Sequence, residues 1–168
     1  MKRVAEQVAG LETVLAAEEG LYLRLRDVLR QEEAELVGLD PARIAELVER
    51  KRGLAEEVRL LEDSRRVLAR ALARSLGLDD RTAKLGELIG LLDREAGRLP
   101  ELHARLSALL ASTRSLVESN GSFADRSLRH VRETLGMLGG SVPERVGYGP
   151  GGTGRSEAGR GRLVRAAI

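Results

Sequence analysis

His103 and His130 are the only imidazoles in this 168-residue chain, and their spacing decides what chemistry they can share. They lie 27 positions apart in a region patterned as one helix, which separates them by about 40 Å. That distance excludes a common metal ion or a proton relay, so each is read as a lone solvated or half-buried side chain. With no cysteine in the chain, there is no thiolate metal site, disulfide or cysteine nucleophile. The glycines of GYGPGGTG lack a GKS or GKT ending, a preceding strand and a following helix, so they do not make a phosphate loop. Most of the 26 carboxylates fall in charged helical patterns, where a solvated face is the default reading. Glu18 and Glu32 are different, because they occupy positions where apolar residues are expected.

Those positions belong to a repeat. Val4, Val8, Leu11, Leu15, Glu18, Tyr22, Leu25, Leu29, Glu32 and Leu36 follow one another at steps of three and four. This is the seam of a coiled coil and requires a long helix lying against others. A second run holds Ile44, Leu47, Lys51, Leu54, Val58, Leu61, Arg65, Leu68 and Leu72. Facing residues of an antiparallel hairpin keep a nearly constant sum of residue numbers. Glu18 with Arg65 and Glu32 with Lys51 share the same sum, 83. Two readings follow: interhelical ion pairs that reject slipped registers more than they stabilise, or long side chains that snorkel to water.

The elements that position these residues are legible in turn. A first helix is expected from about Val4 to Val37, stopping at Gly38. Asp40-Pro41 then offers an N-cap and a proline at the first helical position, and a second helix runs to near Gly77. Asp79 and Asp80 are candidate caps for a short third helix from about Arg81 to Leu92, weakened by Gly86 and Gly90. A fourth should span about Leu99 to Leu138. Its first seam is Leu99, Leu102, Leu106, Leu109, Thr113, Leu116, Asn120 and Phe123. A second takes over through Ala124, Leu128, Val131, Leu135 and Leu138. Asn120-Gly121 stands at the changeover and could kink the helix or interrupt it locally, so its continuity there stays open.

Composition agrees with thin seams. Aromatics are 2% of residues, only Tyr22, Phe123 and Tyr148, whereas apolar residues reach 42%. Leucine, valine and alanine fill the narrow space between helices, so rings are not needed, and Tyr22 is read as core. No apolar run reaches the roughly 18–20 residues of a membrane span, and MKRVAEQVAG lacks a secretory core. The chain reads as soluble and intracellular, without direct membrane insertion. Residues 1–138 form the expected helical domain and 139–168 a flexible tail, which holds nine of the 19 glycines and has a composition that disfavours a packed core. The tail carries five arginines against two glutamates. Without a basic face or stacking aromatics on the body, nucleic acid is not the expected partner. No cofactor is implied. The fold class is all-α: an elongated antiparallel bundle of three long helices and one short one.

Several patterns together resemble the FlgN family of flagellar type III export chaperones. LETVLAAEEGLYLRLRDVLRQEEAELV looks like that family's first helix, with glutamate before LY and another ten residues after the tyrosine. DPARIAELVERKRGLAEEVRLLEDSRR resembles the second, with Lys51 and the LExxR run of Leu61, Glu62 and Arg65. VESNGSFADRSLRHVRETLGML followed by GYGP resembles the asparagine-containing last helix and tyrosine–glycine tail. The likeness covers about residues 4–150. Gly121 after Asn120 departs from it, as does the tail after Pro150.

The resemblance implies a cytoplasmic, nonenzymatic chaperone. It would bind the C-terminal amphipathic helices of hook–filament junction proteins, keep them unpolymerised and deliver them to the membrane protein of the export gate. The client-binding candidates are Asn120, Phe123, Leu128, Val131, Leu135 and Leu138. A weak third helix beside them is expected to leave their stripe uncovered; the alternative is that they are ordinary bundle core. Tyr148 would dock the loaded chaperone to the gate, or be a solvated tyrosine without a role. Two other readings stay open: a structural coiled-coil scaffold that extends its seam as a homo-oligomer, and a chaperone for another client such as flagellin or the filament cap.

Overall fold

The computed structural model describes residues 2–38 and 40–139. Helix α1 spans Lys2–Gly38 and α2 spans Pro41–Ser75. A short α3, Leu85–Leu92, runs into a 3-10 turn at Asp93–Ala96, and α4 spans Leu99–Gly139. The turn between α1 and α2 is built as the sequence requires: Asp40 Oδ1 accepts from the N–H groups of Ala42 and Arg43 at 3.0 and 3.1 Å. Pro41 follows at the position where a missing N–H costs nothing.

Helix α1 is the central strut. Both α2 and α4 pack along its length, while they approach each other little. The pairs across α1 and α2, Glu18–Arg65, Glu32–Lys51 and Tyr22–Glu62, progress in opposite directions along the two chains, so this pair is antiparallel. On α4 the numbers rise together instead. Glu12 meets Arg98 and Glu19 meets Arg105 at a separation of 86, and Glu32 meets Asn120 at 88. The three long helices therefore run up, down and up.

The two ends of this bundle differ. At one end α3 lies across the start of α1, the end of α2 and the start of α4. It completes a core in which Leu11, Leu72, Leu88 and Leu99 are fully buried. At the other end α1 and α2 simply stop. By the offset between α1 and α4, Gly38 lies level with about residue 125 of α4, which continues for roughly 20 Å beyond it at 1.5 Å per residue.

One open question closes here and one sequence expectation changes. Helix α4 is continuous through Asn120-Gly121, with no break in its helical hydrogen bonding. Asn120 is turned inward and bonded, so it does not compete for the helix's own backbone. Helix α3 begins at Leu85, four residues later than expected. Asp79 does accept from the N–H of Arg81 at 3.0 Å, but it closes only a local turn. The chain then redirects, and α3 starts after extended Lys84, whose N–H donates to Glu87 Oε2 at 3.3 Å. The predicted tail, with Tyr148, lies outside the described residues, as does the side chain of Leu138.

Candidate functional site

Three buried polar residues of the seams, Glu18, Glu32 and Asn120, are tied to another helix, whereas the hydroxyl of Thr113, buried on α4, has no hydrogen-bond partner. Glu18 is 1% exposed, and its Oε1 accepts from Arg65 Nε at 2.9 Å while Oε2 has no partner. Burial pushes its carboxyl above the ordinary value of 4.5, with the Arg65 hydrogen bond and charge pulling partly back. One turn on, Tyr22 donates its hydroxyl to Glu62 at 3.3 Å. Burial and the Glu62 charge push that phenol up to about 12, so it stays protonated. On the other flank of α1, Arg105 forks onto Glu19 at 2.8 and 3.0 Å. Its hydrogen bond holds the Glu19 carboxyl below the ordinary value.

Near the open end a second polar group joins all three long helices. Lys51 of α2 donates to Glu32 Oε1 of α1. Asn120 of α4 donates through Nδ2 to Glu32 Oε2 at 3.0 Å and to the Leu29 carbonyl at 2.8 Å. Both partners are acceptors, which fixes which end of the Asn120 amide is nitrogen. Its oxygen, Oδ1, is left without a partner, although the residue is only 4% exposed.

This group sits in the floor of a cleft. Because α2 and α4 each lean on α1 and not on one another, a furrow of about 330 Å³ opens between them. Leu36, Ile44 and Val48 form one side, and Val117, Gly121 and Ala124 the other. The α4 wall does not end with the cleft. Val117, Gly121 and Ala124 continue at steps of three and four into Leu128, Val131 and Leu135, which are 53%, 48% and 61% exposed. One apolar face thus begins between helices and emerges bare. It is bare because α1 and α2 end; α3, which sequence reasoning placed beside it, packs at the opposite end of the bundle.

The six client-binding candidates therefore fall in different places. Asn120 is buried in the polar group, Phe123 is half-buried beside it, and Leu128, Val131 and Leu135 stand exposed. Sequence reasoning missed Val117 and Gly121 on α4 and Leu36, Ile44 and Val48 opposite. The signal was present: the second α4 seam extends backwards from Ala124 in unbroken three-four spacing.

A larger furrow of about 490 Å³ lies between α1 and α2 at Ala17, Gly20, Leu21, Leu60 and Leu61. Both helices run past it on either side, and no helix stands free there. Among the described residues no group of three or more histidine and carboxylate side chains is placed to hold a metal ion. None of the described helices is long and apolar enough to cross a membrane.

Fold and site together define an all-helical bundle in which, among the described residues, the outer face of α4 is left unpaired. The family model for FlgN protein matches residues 1–156, nearly the whole chain. The chain belongs to the FlgN family, flagellar export chaperones. No curated protein and no solved structure matches it.

Proposed function

We propose that the free face of α4 binds the C-terminal amphipathic helices of hook–filament junction proteins in the cytoplasm. The chaperone keeps these clients unpolymerised and delivers them to the export gate, with Tyr148 contributing to docking there. The observation that carries this reading is the continuous apolar face from Val117 to Leu135, walled by two helices at one end and bare at the other. A segment that forms a helix only within the assembled filament has an apolar side without a partner before export. A face of this kind covers it in the helix-in-groove mode, with anchors at helical spacing. Nothing in this role calls for bond-making chemistry, and the chain acts as a binder and not an enzyme.

The test is size-exclusion with light scattering of the chain mixed with junction proteins of the same genome, intact or lacking their C-terminal helices. A discrete complex with the intact client alone is expected. Val131→Asp, which puts a charge on the exposed part of the face, should weaken that complex at least tenfold and leave helicity unchanged. The same bare stripe also suits a scaffold, which would elute as a larger homo-oligomer indifferent to either client.

A further inference from the structure

Gly121 stands where α4 has most to gain from a side chain. It is exposed in the middle of a 41-residue helix, and glycine weakens such a position relative to alanine by enlarging the entropy of the unfolded chain. Crowding does not demand it. An added methyl there would meet nothing within 4 Å apart from the helix's own backbone. The space it would enter belongs to the cleft.

Helices pack by inserting a side chain of one into a hole formed by four residues of the other. On a helix surface those four are i, i+3, i+4 and i+7. Val117, Asn120, Gly121 and Ala124 have this spacing, and all four line the cleft. Among the described residues nothing fills the hole, and glycine at one corner deepens it. A second observation is independent of the glycine: the Asn120 corner, nine-tenths buried, keeps its carbonyl oxygen without a donor. The occupant is a helix, because the same face continues into Leu128, Val131 and Leu135, which a helix seated in the hole would go on to cover.

We propose that Val117, Asn120, Gly121 and Ala124 form the specificity hole of this chaperone. It receives one large apolar side chain of the client helix, and the Asn120 amide, whose free oxygen is shielded as it stands, would have to shift to meet an N–H- or O–H-bearing side chain beside it. This rests on the proposed reading of α4 as the client-binding helix, and it adds the position that selects the client.

The absence of cysteine from the chain makes the test direct. Gly121→Cys places a single thiol in the hole, and Ser107→Cys places one at an exposed control position on α4. With a junction protein that binds the unmodified chain, saturating client should slow maleimide labelling of Gly121→Cys at least tenfold and leave Ser107→Cys unchanged. Gly121→Leu, which fills the hole from within, should weaken the complex at least tenfold without lowering the melting temperature. If the client leaves labelling at Gly121→Cys unslowed while Val131→Asp still abolishes binding, the hole is not the selecting position, and the reading of α4 stands without it. If Val131→Asp binds as well as the unmodified chain, or no junction protein binds at all, the reading of α4 fails and the hole falls with it.

Discussion

At the scale of single residues, the bundle carries polar side chains in its seams at some cost in stability. Glu18 illustrates the cost. One oxygen is matched by Arg65, the other is buried and unmatched, and burial outweighs the arginine in setting its proton affinity. A carboxyl whose folded value lies above its unfolded one contributes most stability when protonated, below about pH 4.5. That contribution is lost as pH rises through the folded value. Glu18→Gln removes this dependence and retains the shape. The unmodified chain should therefore lose stability relative to Glu18→Gln as pH rises from about 4 to about 7, which urea midpoints at several pH values would show. Parallel curves for the two proteins would mean that Glu18 ionises in the fold as freely as in the unfolded chain. Glu19, shifted the opposite way by Arg105, is common to both proteins and cancels in the comparison. The type of residue at 18 and 32 was plain in the sequence, and the shared index sum pointed to Arg65 and Lys51. That Asn120 would complete the Glu32 group was not legible, since it depends on the offset between α1 and α4. A long connection through α3 sets that offset, and no local pattern reports it.

At the scale of elements, two glycines in the same half of the chain should respond oppositely to one substitution. Gly97, just before α4, has a φ of +56°. An added methyl there would also run into Glu12 Oε1 at 2.5 Å, the oxygen that accepts from the N–H of Arg98. That carboxylate comes from α1 and satisfies a free donor at the start of α4, where a negative charge is also favoured by the helix dipole. Gly97→Ala should lower stability by about 1–2 kcal/mol from backbone strain alone, more if the Glu12 contact is lost. Gly121→Ala, with helical backbone and open space, should raise stability by about 1 kcal/mol. Chemical denaturation of both variants checks the pair; a loss at Gly121 would place hidden crowding in the cleft. Sequence alone left continuity through Asn120-Gly121 open and did not single out Gly97. The reason is that a glycine's role depends on φ and neighbours, and only the hydrogen bonds of Asn120 to α1 show that α4 passes through intact. The three long helices were legible because their seams repeat without interruption, whereas the start of α3 was not, because a capping aspartate marks a turn as readily as a helix.

At the scale of the whole molecule, the bundle is closed at one end and open at the other, and its stability should be divided in the same way. Around α3 the leucines of every helix interlock, and opening there requires global unfolding. Beyond about residue 125, α4 has no neighbour among the described residues. Its remaining turns are held only by their own backbone hydrogen bonds and by continuity with the packed half, since helices of about 12–15 residues are marginal in water alone. Amide hydrogen exchange on the free chain should therefore show strong protection from Leu102 to Leu116 and rapid exchange from Arg126 to Met137. Adding a client that seats on the face should slow exchange in the second region and change little in the first, because ordering and covering these turns are one event. If a client seats there as proposed, part of its binding energy would be spent on that ordering, which would lower affinity and leave it displaceable. Slow exchange at Arg126–Met137 before any client is added would mean that the face is already covered. Dilution then tells by what: protection that fades with concentration belongs to a second copy, and protection that persists belongs to the chain's own remaining residues.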